Sequence, residues 1–281
     1  MTPAIRVHTW GGYGSQLFTA YLLLKLKRRF PNRRIKAINH TSGVTRRVTE
    51  FDFDSLGVNV VQTEDYETAR LSKDLLDFSP KFPQSFRAWA RWHAIQTLKK
   101  SKIVVDSNDD ESFDSIRPWT IAIRGHYTNL KLQKEFVVEL YRYILDSRKH
   151  SEMQTSKIVI HYRLGDLISL KQKSPVNPEK IDAILSSVLS DGQSPLLLTD
   201  SSISEFSTFV SNTRFLRECQ PQTLNPQDTL LKCIYADILI GSSSKLSLWG
   251  AIFRQFILKK NSYLPKDLDW AAKNGLKATW Y

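Results

Sequence analysis

The sequence predicts an α/β chain built as two Rossmann-like domains facing each other across a cleft. Short apolar runs alternate with helix-like segments along the chain, a pattern that favours parallel sheets with helices on both faces. The alternation restarts after a polar, glycine-free stretch at residues 147–157. The chain has 281 residues, enough for two domains of ordinary size. The division falls at 1–150 and 151–281, with 147–157 as the linker.

In the first half, a strand at 5–9 leads through a glycine turn into a helix at 16–30. There Leu17, Tyr21 and Leu24 form one apolar row and Phe18, Leu22 and Leu26 another. Further strands are expected at 35–39, 58–62, 103–106 and 120–124. A helix follows at 134–147, with Phe136, Val137, Leu140, Tyr141 and Ile144 on one side. In the second half, strands at 157–163, 196–199 and 237–240 alternate with helices at 178–189, 228–235 and 246–259.

Composition narrows the class. A hydrophobic fraction of 41% with seven Trp argues against disorder. No apolar run approaches the roughly twenty residues of a membrane span. Cys219 and Cys233 have no metal-ligand spacing and read as reduced thiols. A strand entered at residue 5 leaves no room for a signal peptide, so a cytoplasmic chain is expected. The net charge is +12, with part of the excess at Lys25, Lys27, Arg28, Arg29, Arg33, Arg34, Lys36, Arg46 and Arg47. A solvated helix end explains this as well as an anionic donor or a peripheral contact with an anionic membrane at its inner face. Nucleic acid is not expected as a partner, because no recognition motif accompanies the charge.

Four strand-end motifs carry the chemistry. The run IVIHYRLGD at 158–166 brings His161, Arg163 and Asp166 to the C-terminal end of a buried strand, where open α/β sheets bind ligands. The permanently charged, planar guanidinium of Arg163 suits a diphosphate. Gly165 permits a tight turn or a close backbone approach, and Asp166 can anchor that turn or the arginine. Asp200 ends the next strand, placed either to accept from a base or ribose or to cap a helix. Ser242, Ser243 and Ser244 lead into a helix and offer amides and hydroxyls to an anion. In the first half, Gly12, Gly14 and Gln16 form a glycine-rich strand-to-helix turn suited to a phosphate or sugar. It is not a dinucleotide fingerprint: Leu17 stands where the third glycine belongs, and no acidic residue ends the next strand. The D-x-D patterns at 52–54 and 267–269 are too short to argue for a metal, and none is expected.

These motifs resemble those of a known family. GGYGSQLFTAYLL is similar to the GG-x-G-N-Q opening of the α1,2-fucosyltransferases. IHYRLGD resembles the HxRxGD motif of the wider α1,2-, α1,6- and protein O-fucosyltransferase superfamily, and LLLTDSS its strand-plus-Asp element. The late segment DTLLKCIYADILIGSSSKLSLWGA resembles the α1,2 block ending N-S-S-F-S-W-W-G-A, and RGHY at 124–127 a G-Y-F element. Two departures stand out: Ser15 replaces the Asn of G-N-Q, and Ser243-Ser244-Lys245-Leu246-Ser247-Leu248-Trp249 replaces N-S-S-F-S-W-W.

The resemblance implies a GT-B fold. It also implies an inverting, metal-independent transfer of L-fucose from GDP-fucose to a glycan hydroxyl, galactose O2 in the α1,2 type, without any other cofactor. By the same resemblance, Arg163 holds the donor diphosphate and His161 lines the donor pocket. Asp200 helps hold guanine or ribose, and Ser243 and Ser244 lie near phosphate. The donor then belongs to the C-terminal half and the acceptor mainly to the N-terminal half. An inverting attack benefits from a base, for which Asp166 and His126 are the candidates. Three other readings stand beside this one: transfer from another GDP-sugar, a non-catalytic nucleotide-sugar or glycan-binding protein, and an NADP oxidoreductase using Arg33 and Arg34.

Overall fold

The structure is a computed structural model that describes residues 3–41, 48–63, 93–94, 96–146, 156–165, 167, 174–190 and 192–281. It forms two compact units, Met1–Tyr143 and Ile144–Tyr281. Each is a parallel sheet with helices, the Rossmann-like arrangement that the alternation predicts.

In the first unit, β1 (Ile5–Trp10), β2 (Ile35–His40), β3 (Asn59–Thr63), β4 (Val104–Asp106) and β5 (Ala122–Arg124) form one sheet. Its order is β3-β2-β1-β5-β4, parallel throughout. The chain winds outward from β1 through β2 to β3, then continues on the other side of β1. The direction therefore reverses between β1 and β5, and crevices at such reversals are where ligands bind. The helix α1 (Tyr13–Arg29) buries both predicted apolar rows. It starts three residues before the expected Gln16, because Gly14 accepts helical backbone and the Glu50 carboxylate takes the Tyr13 amide at 2.7 Å. Its basic cluster is largely committed within the unit. Lys25 pairs with Asp110 at 2.6 Å, Lys27 donates to the Leu56 carbonyl, and Arg29 donates to the carbonyls of Phe113, Asp114 and Ile116.

In the second unit, β6 (Ile158–Tyr162), β7 (Leu196–Thr199), β8 (Pro221–Gln222), β9 (Ile238–Gly241), β10 (Tyr263–Leu264) and β11 (Thr279–Trp280) form the other sheet. The order is β11-β10-β9-β6-β7-β8, again all parallel. The winding reverses between β6 and β9. The central strand β6 is buried along its whole length, which explains its continuous apolar reading. Ile160 pairs with Leu197 on one side and Ile240 on the other.

The helix Pro226–Tyr235 begins two residues earlier than its apolar pattern suggests. Asn225 caps it by accepting from the Asp228 amide, and proline is harmless in a first turn, where the amide has no intrahelical partner. The predicted helix at 246–259 is the α-helix Lys245–Phe253 followed by a π-helical turn, Arg254–Leu258. The two-residue strands β8, β10 and β11 are too short for periodicity to reveal. Among the described residues, no helix is long and apolar enough to cross a membrane.

One buried cation ties this unit together. Arg254 is fully buried and donates to the carbonyls of Cys233, Ile234, Ala236, Asp237 and Asn261 and to the Ser262 hydroxyl. It thus closes the C-terminal end of helix Pro226–Tyr235, where a positive charge also suits the macrodipole. Arg254→Met would leave these carbonyls without their donor and should cost about 3–5 kcal/mol, read as a lowered urea midpoint. A midpoint within 0.5 M or so of wild type, at a typical slope of about 1–3 kcal/mol/M, would show the carbonyls are satisfied otherwise.

Candidate nucleotide-diphosphate site

At the β6/β9 reversal of the second unit, three strand ends are locked together by side chains reaching for backbone amides. Ser242 donates its amide to the His161 carbonyl at 2.9 Å, and its hydroxyl accepts the Arg163 amide at 2.9 Å. Asp200, at the end of β7, accepts the amides of Leu164 at 2.7 Å and Gly165 at 2.9 Å on one carboxylate oxygen. Gly165 is required by close approach: a Cβ there would lie 2.5 Å from the Asp200 carbonyl oxygen. The turn carrying the half-buried Arg163 is therefore pinned from both neighbouring strands.

The serine turn is fully engaged. Ser243 donates to Asp267 at 2.8 Å, so half of one D-x-D pattern serves as a brace. Ser244 caps the helix Lys245–Phe253, its hydroxyl accepting the Leu246 amide at 3.1 Å. Gly241, just before the turn, lets β9 lie against that helix; a Cβ would meet the Ser247 Cβ at 2.7 Å. One reversal point thus gathers the turn that carries Arg163, a positively poled helix end and an exposed Asp200.

His161 faces the helix. Its Nδ1 shares a 2.7 Å hydrogen bond with the Ser247 hydroxyl. Burial holds its pKa down to about 4, with Asp200 opposing and the Arg163 charge adding to the shift. It is neutral at pH 7 and braces strand against helix.

In the first unit, the glycine turn is occupied by its own chain. Gly11 takes a left-handed φ of 90°, and Gly12 precedes α1 without a side-chain cap. Gln16 is fully buried; it donates to the carbonyls of Gly11 and Val48 and accepts the amides of Glu50 and Phe51. A buried amide using both ends in this way is a structural bracket. The Glu50 carboxylate sits where an anion would approach α1, so Tyr13 and Gln16, beside Gly12 and Gly14, hold the 48–51 segment in this structure.

The β1/β5 reversal gathers an aromatic group that the sequence reading passed over. His8 Nδ1 lies 2.8 Å from His40 Nε2, with the rings stacked at 5.1 Å. Trp10 meets the exposed His126 edge-on at 5.1 Å and His40 at 6.5 Å. Burial lowers His8 to about 3, with His40, Arg124 and Arg6 adding to it. Tyr127 fastens the 124–127 segment by donating to the His8 carbonyl, while Gly125 would place a Cβ 2.2 Å from the Ser107 carbonyl oxygen. The alternation of His8 and Trp10 on β1 was the available signal; only the sheet order brings His40 and His126 to it.

Asp166, Arg46 and Arg47 lie outside the described residues, as does most of the linker at 147–157. Arg33, offered above to a 2′-phosphate, instead donates to the carbonyls of Pro3 and Thr120. It precedes β2, at the N-terminal edge of the sheet, away from the reversal crevice. Cys219 and Cys233 are free and buried.

The sequence matches no family model and no curated protein. Among solved structures, the chain is similar to E. coli heptosyltransferase WaaC with ADP, at 9% identity over 93% of this chain and 86% of that one, with a TM-score of 0.41. It is also similar to a glycosyl transferase family 9 protein from Veillonella parvula, at 11% identity over 94% and 81%, with a TM-score of 0.42. A third likeness is to POFUT1 in complex with GDP-fucose, at 10% identity over 91% and 95%, with a TM-score of 0.39. Superpositions this loose carry no residue-level correspondence.

Gly165→Ala should push the Arg163 turn off Asp200 and cost about 1–3 kcal/mol of stability, measured by chemical denaturation. Wild-type stability would mean that the approach is not needed. Acid should also destabilise the fold. His161 and His8 start from 6.5 and are lowered in the native state, so the unfolded chain binds more protons as pH falls below about 6.5. Stability should drop as pH falls from about 6.5 through about 4, and His161→Gln should make that drop shallower. An unchanged slope in that variant would remove His161 from the account.

Proposed function

We propose that this chain is a glycosyltransferase of GT-B type that takes a nucleoside-diphosphate sugar at the β6/β9 reversal of its second unit. The observation that carries this reading is the pinned turn. Arg163 is held by Ser242 from one strand and, through Leu164 and Gly165, by Asp200 from the other, beside the N-terminus of helix Lys245–Phe253. A sugar leaving a diphosphate acquires oxocarbenium character while negative charge grows on the leaving group. A fixed guanidinium and helix-end dipoles stabilise that charge as it develops, with little reorganisation. On this reading the reaction needs no metal, and Arg163 is the catalytic group. Asp200, exposed at the crevice, suits a ribose or guanine contact with the oxygen not committed to the turn.

The motif resemblance favours GDP-fucose as donor, inversion at the sugar carbon, and a glycan hydroxyl, galactose O2 first, as acceptor. The first unit is then the acceptor side. Trp10 and His126 offer ring surface for a sugar's apolar face, with the His8–His40 pair packed behind Trp10. His126, exposed in this group, is our candidate for accepting the attacking hydroxyl's proton.

Calorimetry with GDP, UDP, CDP and NADP in EDTA tests the donor site. GDP should bind selectively without metal, and Arg163→Ala should weaken it by about 10- to 100-fold, the worth of a charged hydrogen bond, with folding retained. Preference for UDP or dependence on a metal would reject GDP-fucose as donor. Equal binding by Arg163→Ala, or binding of NADP alone, would overturn the site. Turnover of GDP-fucose against GDP-mannose with a galactoside acceptor then separates transferase from binding protein.

A further inference from the structure

The serine turn also delivers a second cation to the crevice. Lys245 is the first residue of helix Lys245–Phe253, directly after the Ser244 cap, and is half-buried. Three residues before it, the Ser242 hydroxyl holds the Arg163 amide. The β6/β9 pairing, with His161 opposite Gly241, places the two chain segments side by side at their C-terminal ends. Two positive charges from distant parts of the chain therefore converge on one helix N-terminus, which already favours negative charge. The residue is a departure from the N-S-S-F-S-W-W pattern, where serine stands in its place.

We propose that Lys245 completes the diphosphate seat as a second cation beside Arg163. The proposal rests on the reading of this crevice as a nucleoside-diphosphate site and names a further ligand for it. The Arg163 charge disfavours a second positive charge on Lys245, and a diphosphate held by both favours it.

The surroundings sharpen the consequence. Burial, with the Arg163 charge adding to it, lowers Lys245 to about 8. Two other titratable groups face the same strand ends: burial lowers His161 to about 4, and it raises the Tyr281 hydroxyl, which donates to the Gly241 carbonyl. Asp200 accepts from two amides and Asp267 from Ser243. A bound diphosphate favours protonated Lys245 and raises its pKa. Binding therefore takes up a proton above about pH 8, and affinity falls as pH rises through that value. Arginine stays charged across this range.

The test is calorimetry of GDP at pH 7, 8 and 9, in two buffers of different ionisation enthalpy, for wild type, Lys245→Arg, Lys245→Gln and Arg163→Ala. Wild type should lose about tenfold in affinity from pH 7 to 9 and take up a proton on binding at pH 9. Lys245→Arg should bind with little pH dependence and no uptake. Lys245→Gln should bind weakly and equally at all three values. A wild-type slope and proton uptake in Lys245→Arg, or wild-type affinity in Lys245→Gln, would overturn the proposal. GDP binding that needs Arg163 but ignores Lys245 sinks this inference alone. Failure of GDP to bind the wild-type chain sinks the donor-site reading as well.

Discussion

The second unit depends on a constraint at the ends of three neighbouring strands. A parallel strand leaves its last backbone groups without ladder partners, and here side chains supply them. Ser242 takes the Arg163 amide, and Asp200 takes those of Leu164 and Gly165. The backbone segment that carries Arg163 is thus held from both sides. Such preorganisation is what electrostatic stabilisation of a leaving diphosphate requires. The close packing of Gly165 on Asp200 and of Gly241 on Ser247 allows the strands and helix to meet there without side chains in the way.

The two units solve the same topological problem with different chemistry. Both wind outward from their first strand and reverse beside it, so both present a crevice at the strands' C-terminal ends. At the β1/β5 reversal the groups are rings: Trp10, His126, His8 and His40. At the β6/β9 reversal they are the half-buried Arg163 and Lys245 and the start of helix Lys245–Phe253. Rings offer apolar faces, whereas cations at a helix N-terminus favour negative charge.

Several polar residues at the strand ends bond other parts of the scaffold. Gln16 spends its whole amide on four backbone groups, His161 meets Ser247, and Asp267 anchors Ser243. A residue's type and its place at a strand end are visible in the chain, but its partners are not. Gln16 bonds residues 32 to 35 positions away, and His161 bonds one 86 positions away. Such partners exist only once the elements pack. Conversely, Lys245 stands out in the sequence only as a departure from the N-S-S-F-S-W-W pattern, and it is the pairing of β6 with β9 that brings its helix start beside the Arg163 turn.

The sequence by itself determined the α/β class and the position of most strands and long helices. Those follow from local periodicity, which one chain segment carries whole: the buried rows of α1 and the continuous apolar run of β6 need no distant partner to be recognised. It also marked Arg163 as a strand-end cation beside a glycine. Only the tertiary structure decided the strand order, and with it which strand ends become neighbours. That order set His40 and His126 around Trp10, put Arg163 between Ser242 and Asp200, and turned Gln16 from a ligand candidate into a bracket. The reason is physical: a strand's apolar pattern says that it is buried and which ends are polar, while the choice of neighbour is made by the packing of the whole sheet.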